Sequence, residues 1–533
     1  MDARKMPIGI QDFEDLRAGG YVYVDKTAYM HKLVTEGKPY FLGRPRRFGK
    51  SLLLSTLKAY FLGKKQLFEG GPGEPRLAIA DLEKDWTAYP VFHIDLIGEQ
   101  YRDSRDLETK LDSILRELEE DWGRDSLDST PGSRFRSLIR RACEQSGKRV
   151  VVLIDEYDKP MLQNLEQSKN FSAMLDTLKS FYGVLKAADQ WLRFVLLTGV
   201  TKFSKVSVFS DLNQLRDISM EDVYGTLCGI TEQELEANFR PELEALAEKQ
   251  GQSYGDALAE MRRRYDGYHF SKNGPGVFNP FSVLSALANQ DFGDYWFRTG
   301  TPTFLVNELA AAKFDLRDFS TGIAARETDL DDYRANGGNP LPILYQSGYL
   351  TIQGYNKQFR TYELGFPNGE VKTGFLENLL LYYQKDPPDL QRFMASNFVE
   401  DLQKGNVDGF MNRLRAFISS IPYPDGHETE RYYQNILYVI FALVGTYVQA
   451  ETQSASGRCD LVVRTGVSGT DTVYVFEVKF SRKGSTHTAR EALEQIDDKG
   501  YAIPYTASGC ALVKIGAVFD QETRTLSEWE TVS

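Results

Sequence analysis

The chain has 533 residues, of which 42% are hydrophobic, 12% aromatic and 26% charged, with a net charge of −12. That length exceeds what one hydrophobic core supports and predicts roughly three or four domains, and the aromatic content excludes extended disorder. The acidic balance excludes indiscriminate binding to nucleic acid, because affinity for the phosphate backbone comes from clustered Lys and Arg.

Asp2, Arg4, Lys5, Asp12, Glu14 and Asp15 break the N-terminus, leaving no apolar core for an export signal, and no later run approaches the ~18 apolar residues of a membrane span. No membrane partner is expected. Cys143, Cys228, Cys459 and Cys510 are scattered without a CxxC pair, which fits a reducing, cytoplasmic setting.

In chain order, Tyr40-Phe41-Leu42 predicts a short strand, a glycine-containing loop follows, and Leu52 to Phe61 has helical apolar spacing. Strands at Val91–Asp95, Arg149–Asp155 and Phe194–Thr198, separated by helical stretches, predict a parallel α/β nucleotide-binding sheet. Ser219 to about Arg264 reads as helical and acidic, with Thr231-Glu232-Gln233-Glu234 as a helix start; this suits a lid. Residues 277–345 read as helical again, and Gly348 to Phe375 gives strand-like pieces resembling a small winged-helix module. Residues 376–421 read as a helical connection, and Pro422-Tyr423-Pro424-Asp425-Gly426 marks the last boundary.

A phosphate-binding loop needs glycines where backbone wraps phosphate, a Lys for the terminal phosphates and a hydroxyl for Mg²⁺. Gly43-Arg44-Pro45-Arg46-Arg47-Phe48-Gly49-Lys50-Ser51 supplies these, with one departure: Arg44 stands where GxxxxGK[ST] has its first glycine. Asp155 and Glu156 end the buried strand VVVLI as a Walker B pair would, Asp155 with Ser51 to hold Mg²⁺ and Glu156 to orient or deprotonate water. Alone, they also read as a capping Asp and a surface Glu. Thr198 is either a γ-phosphate sensor or a polar strand end, and Arg216 either an arginine finger or a surface ion pair. The cofactor-binding set is Gly43, Arg46, Arg47, Gly49, Lys50, Ser51, Asp155 and Thr198.

Near the other end, Asp460 opens the strand Asp460-Leu461-Val462-Val463, and VYVFEVKF spans Val473–Phe480. Alternation places Val475, Glu477 and Lys479 on one face. Two charges in so apolar a strand cost several kcal/mol if buried without partner or metal. They therefore read as a metal-dependent phosphodiesterase set, or as an ion pair on a solvated face. Glu430, at the start of the helix from about Glu428 to Tyr447, is a further carboxylate or a residue favoured by the helix dipole. Gln495, on the helix carrying Ala489, Ala492, Leu493 and Ile496, is a supporting contact or an ordinary surface glutamine. Two basic clusters adjoin the sites: Arg44, Arg46, Arg47 and Lys50, and Lys479, Arg482, Lys483 and Arg490.

Together, Tyr23-Val24-Asp25-Lys26-Thr27, RPRRFGKSLLLSTL, VLIDEYDKP, LLTGVTKFSKVSVFS, YDGYHFS, FNPFSVL, TGTPTFL, LYQSGYLTI, GRCDLVV and VYVFEVKF resemble bacterial proteins that join an AAA-ATPase-like domain to a C-terminal PD-(D/E)XK nuclease-superfamily domain. The resemblance implies an α/β fold: a P-loop NTPase parallel sheet with helical lid and winged-helix-like region, then a C-terminal α/β restriction-endonuclease-like domain. The expected boundaries are 1–218 for the ATPase, 219–300 for the lid, 301–375 for the winged-helix-like region, 376–425 for the connector and 426–533 for the nuclease-like domain. It implies catalytic roles for Asp460, Glu477, Lys479, Glu430, Gln495 and Glu156, with Ser51, Asp155, Asp460 and Glu477 at metal. ATP and Mg²⁺, with Mn²⁺ an alternative at the nuclease site, are the expected cofactors, and DNA the expected partner; a homo-oligomer is compatible. The shifted glycine favours a slow switch over a fast motor. The rival expectations are a nucleotide switch with a non-cleaving C-terminal domain, and a repair or recombination nuclease.

Overall fold

In a computed structural model the described residues are 4–71, 75–165, 168–203, 214–297, 303–312, 314–331, 338–383, 395–421, 429–447, 449–451, 461–467, 470–506 and 510–533. They fall into two compact units, 1–300 with 323–370, and 301–322 with 371–533.

The first unit is organised by five strands: β1 (Tyr40–Gly43), β2 (Val91–Asp95), β3 (Val150–Asp155), β4 (Leu192–Gly199) and β5 (Arg216–Asp217). They pair in parallel in the order β2-β3-β4-β1-β5. Every residue of β3 is buried, as expected where helices cover both faces of a parallel sheet. The order inserts β4 between β1 and β3, so the ends of all three meet at one edge. The helix Lys50–Phe61 follows β1, entered through Gly49 at φ 89°, a backbone region that glycine occupies without steric cost.

The stretch read as a lid is helical, with the helices Glu232–Gln250, Tyr254–Tyr265 and Pro280–Asn289. The first begins in the Thr231/Glu234 capping box. Leu235, Phe239, Leu243, Met261, Phe278 and Val283 form their core, and Val22 and Val24 pack against it. Three antiparallel strands complete this unit: β6 (Ile323–Arg326), β7 (Thr351–Asn356) and β8 (Thr361–Gly365), in the order β6-β8-β7. β6 lies inside the stretch read as helical; four residues, alternately buried and exposed, are too few to declare a period of two against a helical background.

The second unit has the mixed sheet β13-β12-β11-β10-β9, made of β9 (Gln449–Glu451), β10 (Leu461–Val467), β11 (Thr470–Ser481), β12 (Ala511–Asp520) and β13 (Thr525–Val532). Only β11 and β12 run parallel, and the helix Ala489–Asp498 lies in their crossover, as a parallel pair requires. One face, with Val462, Val473 and Val475, packs on Leu493 and Ile496 of that helix. On the other, Phe476 meets Phe410 and Phe441, and Phe519 meets Tyr433, from the helices Val407–Ser419 and Thr429–Tyr447.

Candidate functional site

The phosphate-loop candidate is shaped by its aromatic and cationic side chains. Phe48 is buried edge-on against Tyr268 and Phe270, which anchors the loop to the YDGYHFS segment. Arg44 is 1% exposed. Its guanidinium donates to the carbonyls of Gly43 (2.8 Å), Ser219 (2.8 Å) and Tyr224 (2.9 Å) and stacks over Phe270 at 4.1 Å; burial pulls its pKa down. The residue in the place of the usual glycine is thus a strut, which withdraws Arg44 from the basic cluster expected at the surface. Gly43 N–H donates to Ser219 Oγ at 2.7 Å, while Arg46 and Arg47 remain exposed.

Lys50, the first residue of its helix, is buried and donates to the carbonyls of Arg44 (3.0 Å) and Pro45 (3.1 Å). The ammonium is folded into its own loop, where main-chain oxygens occupy the acceptor role that phosphate oxygens would take. Ser51 is next, partly buried. Across the sheet edge, Thr198 Oγ1 donates to Asp155 Oδ1 at 2.7 Å, and the Glu156 N–H donates to the same oxygen at 3.0 Å. Glu156 sits at φ 46°, a region uncommon for a side-chain-bearing residue, with Lys159 3.8 Å away. Arg216 is ion-paired with Glu221 at 2.6 Å, the surface alternative.

Asp158, two residues beyond Glu156, is fully buried. Its Oδ2 accepts from the N–H groups of Val200 (2.9 Å) and Thr201 (2.6 Å), tying the end of β3 to the segment after β4. Burial raises its pKa to about 6. Gly49 also borders an apolar cleft, lined among others by Val22, Val24, Lys26, Phe48, Ile230 and Leu284. A planar, mostly apolar group fits such a lining. Lys26 is held there by both carboxylate oxygens of Glu234 at 2.6 Å, joining the N-terminal segment to the lid.

The second candidate lies on β11. Glu477 is 6% exposed, which overturns the solvated-face alternative. Lys479 Nζ donates to Gln495 Oε1, and Gln495 Nε2 donates to Glu477 Oε1. The orientation is chemically forced: an amide between an anion and a cation turns its N–H to the first and its oxygen to the second. The glutamine that looked like helix surface therefore bridges the two charged residues.

Gly516, which sequence reasoning passed over, makes that approach possible. It is registered opposite Glu477 in the β11–β12 pair, and a Cβ there would lie 2.3 Å from the Ala489 carbonyl oxygen and 2.9 Å from Leu493. Only its missing side chain lets the helix sit close enough for Gln495 to reach Glu477. A lone glycine inside an apolar strand was the available signal. After β11, Arg482 and Ser485 pair across a turn that leaves Arg482 and Lys483 exposed. Arg490 is drawn toward Glu530 at 3.4 Å, so the second basic cluster narrows to Arg482 and Lys483.

Asp460 lies outside the described residues. Glu430 is in the first turn of the helix Thr429–Tyr447, with its side chain outside the described set. Among the described residues, no three His, Cys, Asp or Glu side chains converge as a metal site, and no helix is long and apolar enough to cross a membrane. Asp155 nevertheless suits a hard divalent cation: it is a buried carboxylate whose hydrogen-bond donors among the described residues are a hydroxyl and a main-chain amide.

Comparison with known proteins agrees with this division. Residues 7–209 match a family described as predicted AAA-ATPase, and residues 428–529 match the PD-(D/E)XK nuclease superfamily. The chain is 38% identical over 540 residues to an "uncharacterized protein in vnfD 5′region" of Azotobacter chroococcum mcd 1, covering 99% of this chain and 98% of that one.

Proposed function

Because the chain belongs to the family of proteins that join a predicted AAA-ATPase domain to a PD-(D/E)XK nuclease-superfamily domain, we propose that it binds and hydrolyses ATP and that its nucleotide state regulates a Mg²⁺-dependent nuclease acting on DNA. The observation that carries the nuclease reading is the Glu477–Gln495–Lys479 chain, in which Glu477 is buried and the other two are partly buried. A buried carboxylate joined through an amide to a partly buried ammonium is costly as mere structure, and these are the groups that phosphodiester cleavage needs.

At the N-terminal site Lys50 would exchange its loop carbonyls for the terminal phosphates, and Arg46, Arg47 and the amides after Gly49 would supply further donors to the anion. Ser51 and Asp155 would hold Mg²⁺, Glu156 orients or deprotonates water, and Thr198 links Asp155 to the segment after β4. The apolar cleft beside Gly49 would take the nucleobase. At the C-terminal site Asp460 and Glu477 would hold the metal, with Mn²⁺ able to replace Mg²⁺ and Glu430 adding a carboxylate. When bound, such an ion polarises the phosphate and acidifies water. Lys479, positioned by Gln495, neutralises charge developing on the phosphate. Defence against foreign DNA is a context that this coupling suits, by analogy.

The test is cleavage of plasmid and single-stranded DNA with Mg²⁺ or Mn²⁺, with and without ATP. Cleavage lost in Glu477→Ala and altered in its ATP response by Lys50→Ala is the expected result. No cleavage under any metal, with DNA binding intact, would instead establish a switch with a non-cleaving C-terminal domain.

A further inference from the structure

The tip of the β7–β8 hairpin carries charge and an aromatic ring that no part of the fold uses. Between Asn356 and Thr361 stand Lys357, Gln358, Phe359 and Arg360, all exposed; Phe359 is 66% exposed, one of the most exposed large apolar side chains among the described residues. Neither Lys357 nor Arg360 has an ion-pair partner among the described residues.

The tip is also shaped. Asn356 Oδ1 accepts from the N–H groups of Gln358 (3.0 Å) and Phe359 (3.1 Å), a turn that fixes the chain before Phe359. Arg360 then takes φ 53°, which turns the backbone back into β8. Further cations flank the tip: Arg326 lies opposite Thr361 on β6, and Lys272 sits over the Tyr355 ring at 5.3 Å. Glu363 of β8 is registered further down the sheet beside Ala324, and Glu327 and Asp329 follow Arg326 beyond the end of β6. On a chain of net charge −12, a cationic tip with an exposed ring is a local exception.

We propose that this hairpin tip is a second DNA contact, in which Lys357 and Arg360 neutralise neighbouring phosphates and Phe359 stacks on a base. This inference rests on the reading of the chain as acting on DNA, and assigns part of the binding to a segment outside the cleavage site. Charge complementarity selects a polyanion, and the ring selects one that offers stacking faces, so single-stranded or locally opened DNA is favoured over intact duplex.

The experiment is fluorescence anisotropy of the full chain with labelled single-stranded and duplex DNA of one sequence, in EDTA so that nothing is cut. Lys357→Glu/Arg360→Glu should weaken single-strand binding at least tenfold and lower the salt slope by about 1.4, the value for two lost phosphate contacts. Phe359→Ala should weaken it about tenfold at unchanged slope, while Phe359→Tyr, which keeps the ring, binds as the parent does. Arg482→Glu/Lys483→Glu provides the contrast at the C-terminal site. Parent-like binding by the hairpin variants, with loss only in the Arg482/Lys483 pair, overturns the hairpin inference and leaves the DNA reading standing. A parent chain that binds neither DNA overturns both.

Discussion

Lys50 in the first unit and Lys479 in the second each reach acceptors of their own unit, but by different routes. Lys50 turns back on the carbonyls of Arg44 and Pro45, within the loop that it ends. Lys479 turns to Gln495, on a helix formed later in the chain, and Gln495 in turn holds Glu477. The first arrangement is local: a phosphate can take over from the carbonyls without moving another element. The second exists only while the helix Ala489–Asp498 is packed on the sheet, and so depends on Gly516. One site is preserved by a short stretch of sequence, the other by close packing.

The largest effect that separates the two is loss of function at one site with the other intact. Glu477→Ala should abolish cleavage while leaving ATP binding by equilibrium titration at the parent value; Lys50→Ala should abolish ATP binding while the second unit keeps its thermal unfolding transition. A joint loss in either variant would break the distinction.

Arg44→Gly restores the usual loop spacing, yet should destabilise the first unit by about 3–4 kcal/mol in urea unfolding, because one buried and two partly buried carbonyls lose their donor. A variant as stable as the parent would mean that Arg44 is not the strut described.

The buried Asp158 gives a pH test. Its pKa is raised from 3.8 to about 6, so between these values the folded chain holds a proton that the unfolded chain has released. Folded-state stability therefore falls as pH rises through that window and levels off above it. Relative to Asp158→Asn, which cannot ionise, the parent should lose about 2–3 kcal/mol between pH 4 and 6.5. Parallel stability curves would show that the carboxyl keeps an ordinary pKa.

The smallest effect sharpens the packing side. Gln495→Ala should lower the cleavage rate by about 10–100-fold, as expected when a group that orients a catalytic residue is removed. Gly516→Ala should act in the same direction by lifting the helix, with a stability loss of about 1–3 kcal/mol. Unchanged cleavage in both would remove Gln495 from the site.

Much of this molecule was legible from contiguous residues. The parallel sheet followed from apolar runs and helical spacing, the phosphate loop from Gly49-Lys50-Ser51, and the shared face of Glu477 and Lys479 from the two-residue period of β11. Each of these is a near-neighbour property of the chain. The strands β5, β6 and β9 were not placed from sequence, since two to four residues are too few to declare a period; β12 and β13 were not read as strands either.

What the sequence by itself determined is therefore which residue types lie on which strand, loop or helix face. Only the tertiary structure decided that Arg44 is a strut and not a surface cation, that Asp158 clamps Val200 and Thr201, and that Gln495 bridges Glu477 to Lys479. The physical reason is that burial and hydrogen-bond partnership are set by elements distant in sequence: the segment at Ser219 and Tyr224 closes over Arg44, and a helix resting on Gly516 brings an unremarkable glutamine between two charges.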